Sequence, residues 1–229
     1  MRHLRLFLIL VLIMLVAVFG NINCSKRNAK MAGNDTNFCE TNGHDLELAA
    51  LVKKATGHPL EPLPKVYDNP PDAKMGFCSK LETKYVVSDE TALPLKEFAA
   101  SKGYLVFVFD GDFANEQGVI VPFHHLAVLK GTDEFDIITW RQSNGCNYDI
   151  FADDIVKKLK TWKTLNDLVV FGVGEDWVQF KFKTLPQNMD TFASEVYKFC
   201  PDIVEQGTGT VAALKEEMQQ DGIVFLWWD

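Results

Sequence analysis

The densest group of side chains able to do chemistry is Cys200-Pro-Asp202 followed by Glu205-Gln206-Gly207. A cysteine becomes a nucleophile when a neighbouring base takes its proton. His124 and His125 are the candidate bases, and with Asp202 they would make Cys200 the centre of a thiol enzyme or hydrolase. The same residues also have a structural reading. Cys200 falls on the apolar face of a helix, where free cysteines are commonly buried. Asp202 would then cap and Gly207 would permit a left-handed turn. No residue pattern supplies an oxyanion donor.

His124-His125 follow Pro122-Phe123. Adjacent residues of a strand point to opposite faces, so only one histidine can join a given site. No HxH, HExxH or CxxC spacing is present, so neither a metal site nor a cofactor is expected. Asp110-Gly-Asp112 with Asn115 and Glu116 resembles a calcium loop, but Ala114 and Asn115 stand where an oxygen ligand and a glycine are required. Asn144-Gly-Cys146-Asn147-Tyr148 reads as a turn. Trp227-Trp228 would alternate across a strand, one indole inward and one outward. Sharing a face with Ile223 and Phe225, Trp227 is expected to be the inward one, leaving Trp228 for a partner. Burying one indole is worth about 4–6 kcal/mol as an upper estimate.

These residues need elements to hold them. Asp45 caps a helix through Leu46, Leu48, Ala49, Leu51 and Val52 that Gly57 ends. Five prolines in residues 58–72 keep that stretch extended and out of a sheet interior; Pro59–Pro62 has PxxP spacing, but a plain connector explains it. A strand is expected at Tyr85–Val87 and a helix at Leu93–Ser101, stopped by Gly103. Tyr104–Phe109 reads as a buried strand, with further strands at Ala127–Leu129 and Phe135–Trp140. Ile155, Val156, Leu159 and Trp162 form one helical stripe. Val169–Val173 and Trp177–Phe182 flank a hairpin turn at Gly174-Glu-Asp176. Phe192, Ala193, Val196, Tyr197 and Cys200 recur at helical spacing up to Pro201. Thr208 or Thr210 caps a helix carrying Val211, Leu214 and Met218, and Ile223–Trp228 is a closing strand. Helices and strands alternate irregularly, which predicts an α+β domain with a mixed or antiparallel sheet.

The chain has 229 residues, 47% hydrophobic and 24% charged, which excludes wholesale disorder, collagen and coiled coil. Met1–Arg5 is basic and Leu6–Phe19 is an unbroken apolar run, the pattern of a signal peptide. As a helix that run spans about 21 Å, short of the ~30 Å membrane core. Cys24 after it resembles the lipidated cysteine of a bacterial lipoprotein, although Asn21 and Asn23 depart from the usual pattern. Cleavage after Gly20, giving a secreted chain, and an uncleaved single-pass anchor are the alternatives. The expected organisation is therefore a signal peptide over 1–23, a flexible tether over 24–43 and one domain over 44–229, facing the periplasm or exterior. Removing residues 1–23 takes away Arg2 and Arg5 and no acid, so the net charge of −8 becomes −10. An acidic chain without a basic stripe is a poor nucleic-acid binder.

Asn147-Tyr148-Asp149-Ile150, Phe199-Cys-Pro-Asp-Ile-Val-Glu-Gln-Gly207 and Leu226-Trp-Trp-Asp229 together resemble a bacterial family catalogued as domain of unknown function 4253. The resemblance is strongest over 134–229. It implies no activity, ligand or catalytic residue, but it suggests that Asn147 and Tyr148 line the same surface as the Cys-Pro-Asp turn. The binding candidates are thus Asn147, Tyr148, Asp202, Glu205, Gln206 and Trp228.

With Cys24 lipidated, Cys39, Cys78, Cys146 and Cys200 remain, with three possible pairings or none. A Cys39–Cys78 bridge would add about 4 kcal/mol in the chain-entropy model. The functional expectation is a non-enzymatic, envelope-tethered module that binds a protein or peptide through its C-terminal face. The thiol enzyme and an immunity protein that neutralises a toxin are the alternatives.

Overall fold

The computed structural model describes residues 33–64, 66, 73–81, 89–110, 114–115, 120–121 and 124–229. Its helices are α1 (Gly33–Asn42), α2 (Leu46–Thr56), α3 (Asp89–Ser101), α4 (Asp136–Arg141), α5 (Ala152–Leu165), α6 (Met189–Phe199) and α7 (Val211–Asp221). Its strands are β1 (Glu61–Pro62), β2 (Gly76–Leu81), β3 (Tyr104–Asp110), β4 (Ala114–Asn115), β5 (Ile120–Val121), β6 (His124–Lys130), β7 (Leu168–Val173), β8 (Trp177–Phe182) and β9 (Ile223–Trp227). A 3₁₀ turn covers Cys146–Tyr148 and a π-helix covers Ile203–Thr208. The expected signal peptide, Cys24, the first part of the tether, the strand at Tyr85–Val87 and the Asp112 turn lie outside the described residues. No helix among the described residues is long and apolar enough to cross a membrane.

Seven strands form one mixed sheet in the order β1-β2-β6-β3-β7-β8-β9, and β4 pairs with β5 apart from it. Every pairing in the large sheet is antiparallel except β3 with β7. Residues Tyr104–Phe109 of β3 are all buried because both faces of this central strand are covered. Leu105, Phe107 and Phe109 face a core made with α4, α5, α6 and α7. Tyr104, Val106 and Val108 face a second core made with α1, α2 and α3. The result is one domain of three layers, helix on sheet on helix.

Several local signals act as the residue types require. Asp45 accepts the Leu48 N–H at 2.8 Å, and Gly57 takes a left-handed φ of 74° to close α2. Thr210, rather than Thr208, caps α7 through the Ala213 N–H. Four expectations are corrected. Residues 33–42 are not tether but helix α1, anchored by buried Cys39 and by Asp35, which accepts the Leu60 N–H and pairs with Lys53. Phe135–Trp140 is not a strand: Asp133 accepts the Phe135 N–H, and consecutive Ile137 and Ile138 both turn inward on α4.

The third correction concerns the closing strand. Val224, Leu226 and Trp228 share the face that meets α4–α7, so Trp228 is the inward indole at 2% exposure. Phe225, at 37% exposure, and Trp227 lie on the opposite face. The fourth concerns the turn after Cys200. Asp202 makes no side-chain cap, and Gly209, not Gly207, takes the left-handed conformation. Cys39, Cys78, Cys146 and Cys200 are all free thiols. Cys39 and Cys78 belong to cores on opposite faces of the sheet, so the sheet itself stands between them.

Candidate functional site

The three segments that carry the family resemblance converge at one end of the domain. Asp202, only 3% exposed, is the hub. One carboxylate oxygen accepts the Tyr148 hydroxyl at 2.6 Å and the Gln206 amide at 3.2 Å; the other accepts the Asp229 N–H at 2.9 Å. Burial alone would raise the Asp202 pKa, but these donors outweigh it and hold the carboxyl below its ordinary value. The Tyr148 hydroxyl, donating to that carboxylate, is correspondingly pushed up to about 12. Asn147 donates to the Asp229 backbone oxygen, and Tyr197 donates to Glu205 at 3.1 Å. Asn147, Tyr148, Asp202 and Gln206 are therefore one hydrogen-bonded group, with Glu205 held beside it by α6.

Cys200 sits under this group with no exposed surface. Its thiol donates to the Trp227 carbonyl at 2.9 Å and accepts the Trp227 N–H at 3.2 Å, so the sulfur completes the free edge of β9. Burial pushes the thiol up to about 12, the opposite of what an attacking thiolate requires. His124 and His125 are elsewhere. They lie on β6, separated from β9 by β3, β7 and β8. His125 stacks on Phe109 with centroids 4.9 Å apart, while His124 meets the edge of Trp177 on the other face. Burial lowers the His124 pKa. Among the described residues no three His, Cys, Asp or Glu side chains are grouped to hold a metal ion.

Trp228 donates its indole N–H to the Phe199 carbonyl at 3.2 Å and meets the Phe199 ring edge-on at 5.6 Å. Its face lies on Gly145, where an added Cβ would come within 2.6 Å of Trp228 Cγ. A residue with any side chain at position 145 would displace the indole. Trp228 is thus packed into the domain rather than offered to a partner.

A second feature leaves almost no trace in the sequence pattern. The parallel pair β3/β7 is bonded only at Val108↔Gly172 and Phe109↔Val173; toward Tyr104 and Leu168 the two strands part. Side chains cap the backbone groups bared by the split. Lys96, on α3, sends its ammonium to the Val170 carbonyl at 2.6 Å and the Val106 carbonyl at 3.3 Å. Glu134, just before α4, accepts the Val170 N–H at 3.1 Å and also binds the Lys163 ammonium. Burial, with the charge of Lys163 beside it, lowers the Lys96 pKa to about 8. Over the split lies an open cleft of about 980 Å³ whose apolar wall includes Leu93, Leu105, Phe135, Val169 and Phe182. Its size is at the upper end for small-molecule sites, roughly 300–1,000 Å³. The one signal in the sequence was a lysine, Lys96, in the midst of a helix face that is otherwise apolar.

Residues 125–229 match the family described as Domain of unknown function (DUF4253). No curated protein and no solved structure matches the chain.

Proposed function

We propose that this chain, whose residues 125–229 match the DUF4253 family, is a binding module held at the cell envelope, with its ligand seated in the cleft between β3 and β7. The observation that carries the reading is the split itself. Two adjacent strands leave their ladder unfinished, charged side chains satisfy the bared backbone, and an apolar-walled cleft of about 980 Å³ opens above them. Leaving a parallel pair half-formed forgoes ladder hydrogen bonds and core contacts, a cost that a binding cleft would explain. The C-terminal face is the weaker seat, because Asp202, Asn147 and Trp228 spend their polar groups on the domain's own chain.

The uncharged apolar reporter N-phenyl-1-naphthylamine tests this. It should fluoresce on the unaltered chain and bind at least tenfold more weakly to Ala100→Trp, which fills the cleft from an exposed position on α3. Equal fluorescence on both would overturn the assignment. The envelope location rests on Met1–Arg5, the run Leu6–Phe19 and Cys24. Cys24→Ala should move the chain from the membrane to the soluble fraction, and unchanged partitioning would remove the lipid anchor.

A further inference from the structure

We infer that the cleft takes a small amphiphile with a carboxylate head, anchored by the ammonium of Lys96; the inference rests on the cleft being the ligand seat. The charges around it point to an anion. Among the described residues Lys96 has neutral partners only, the carbonyls of Val106 and Val170. Of the three acids that line the cleft, Glu97 is exposed on α3 and the other two are already committed. Glu134 spends one oxygen on the Val170 N–H and the other on Lys163. Asp133 is taken by Lys160 at 2.7 Å and by the Phe135 N–H. A partly buried ammonium without a carboxylate partner has lost hydration that two carbonyls replace incompletely. A ligand anion arriving in the cleft would supply the missing charge.

The rest of the lining limits the kind of anion. Among the described residues no arginine lines the cleft, so the forked donors that favour phosphate are missing. Of the four lysines that line the cleft, Lys163 is paired with Glu134, Lys183 with Asp167, and Lys181 also has a partner, so Lys96 is the ammonium left for a single carboxylate. Beyond it, Leu93, Leu105, Phe135, Val169 and Phe182 offer an apolar wall for a hydrocarbon tail.

The chain, expressed from Met1 and purified in the form its host makes, is titrated with octanoate and with 1-octanol by calorimetry. Octanoate should bind more tightly than octanol. Lys96→Met should weaken octanoate at least tenfold and octanol by less than twofold. Ala100→Glu, an exposed change one helical turn from Lys96, should weaken octanoate selectively without depending on the tolerance of position 96. If octanoate and octanol bind alike and neither substitution separates them, the anionic head is wrong while the cleft survives as a seat. If neither compound binds while N-phenyl-1-naphthylamine does, the carboxylate amphiphile is equally excluded. If all three fail to bind, the cleft reading falls, and this inference with it.

Discussion

Tyr148 and Asp202, 54 positions apart in the chain, share a 2.6 Å hydrogen bond that ties the 3₁₀ turn at Cys146–Tyr148 to the start of the π-helix. Through its other oxygen the same carboxylate holds the Asp229 N–H. Three distant segments thus depend on one buried charge.

Asp202→Ala should cost roughly 2–3 kcal/mol in urea melts, since it strands buried donors as well as removing bonds to a charged acceptor. Tyr148→Phe should cost less, because its half-open hydroxyl leaves only one donor to lose. The double variant should cost less than the sum, as expected for partners in one network. The sign with pH follows from the depressed Asp202 pKa. Its stabilisation is present above the ordinary carboxyl value of 3.8 and is lost as pH falls through the lower folded value. The penalty of Asp202→Ala should therefore shrink below pH 4.

Trp228→Ala should destabilise the domain by roughly 3–5 kcal/mol, the range for emptying a buried aromatic site. Trp227→Ala should cost clearly less, since that indole faces away from the α4–α7 layer. Gly145→Ala should resemble Trp228→Ala, because the new methyl occupies the place of the ring. Denaturant midpoints for the three variants give the ranking directly, and near-equal losses at 227 and 228 would contradict the packing.

Thiol titration should separate the cysteines by burial. Of the four described, Cys146 is exposed and should react with a disulfide reagent at the rate of an open thiol. Cys39, Cys78 and Cys200 should react only on unfolding. Burial raises Cys39 to about 11 and both Cys78 and Cys200 to about 12, from an ordinary 9.0. Between pH 9 and 11 the unfolded chain releases these protons while the folded chain keeps them, so stability falls with rising pH. Cys200→Ala should make that fall shallower.

Lys96 acts with the opposite sign. Its pKa is about 8 when folded and 10.5 when free, so over that interval the unfolded chain binds the extra proton. Its contribution to stability therefore rises with pH, at a slope approaching about 1.4 kcal/mol per unit for one proton. The stability difference between unaltered chain and Lys96→Met should shift in favour of the unaltered chain from pH 8 to pH 10. A difference that stays flat would mean that the ammonium is not desolvated at the split.

Much of this architecture was legible in residue order, and the failures share a cause. Asp45 and Gly57, the Ile155–Trp162 stripe and the Gly174 hairpin are local devices, decided within a turn or two, and they stand where expected. The mixed sheet, too, followed from the irregular alternation of elements. What depended on neighbours distant in sequence was misread. Residues 33–42 look polar enough for a tether, yet Asp35 and Cys39 find partners in the α2 region and fold the segment as α1. The Trp227–Trp228 alternation was right in period and wrong in phase, because phase depends on which face the other helices cover. Asn147 and Tyr148 do join the Asp202 turn, as the family resemblance suggested. Apart from Lys96, the cleft had no sequence signature, since a split between β3 and β7 is a relation between strands and not a property of either.

The strand order also bears on how this polypeptide can be divided. The segment that matches the family begins at His125, inside β6, yet both sheet neighbours of β6, β2 and β3, precede it. Cut there, the sheet falls into a solitary strand and the three-stranded piece β7-β8-β9, with no strand pairing to join them. The matched segment therefore does not carry a complete sheet of its own. Its missing half is also the half that brings Lys96, Leu93 and Leu105 to the cleft. If the cleft seats the ligand as proposed, two chains sharing the 125–229 segment but differing before it would present different clefts and select different ligands.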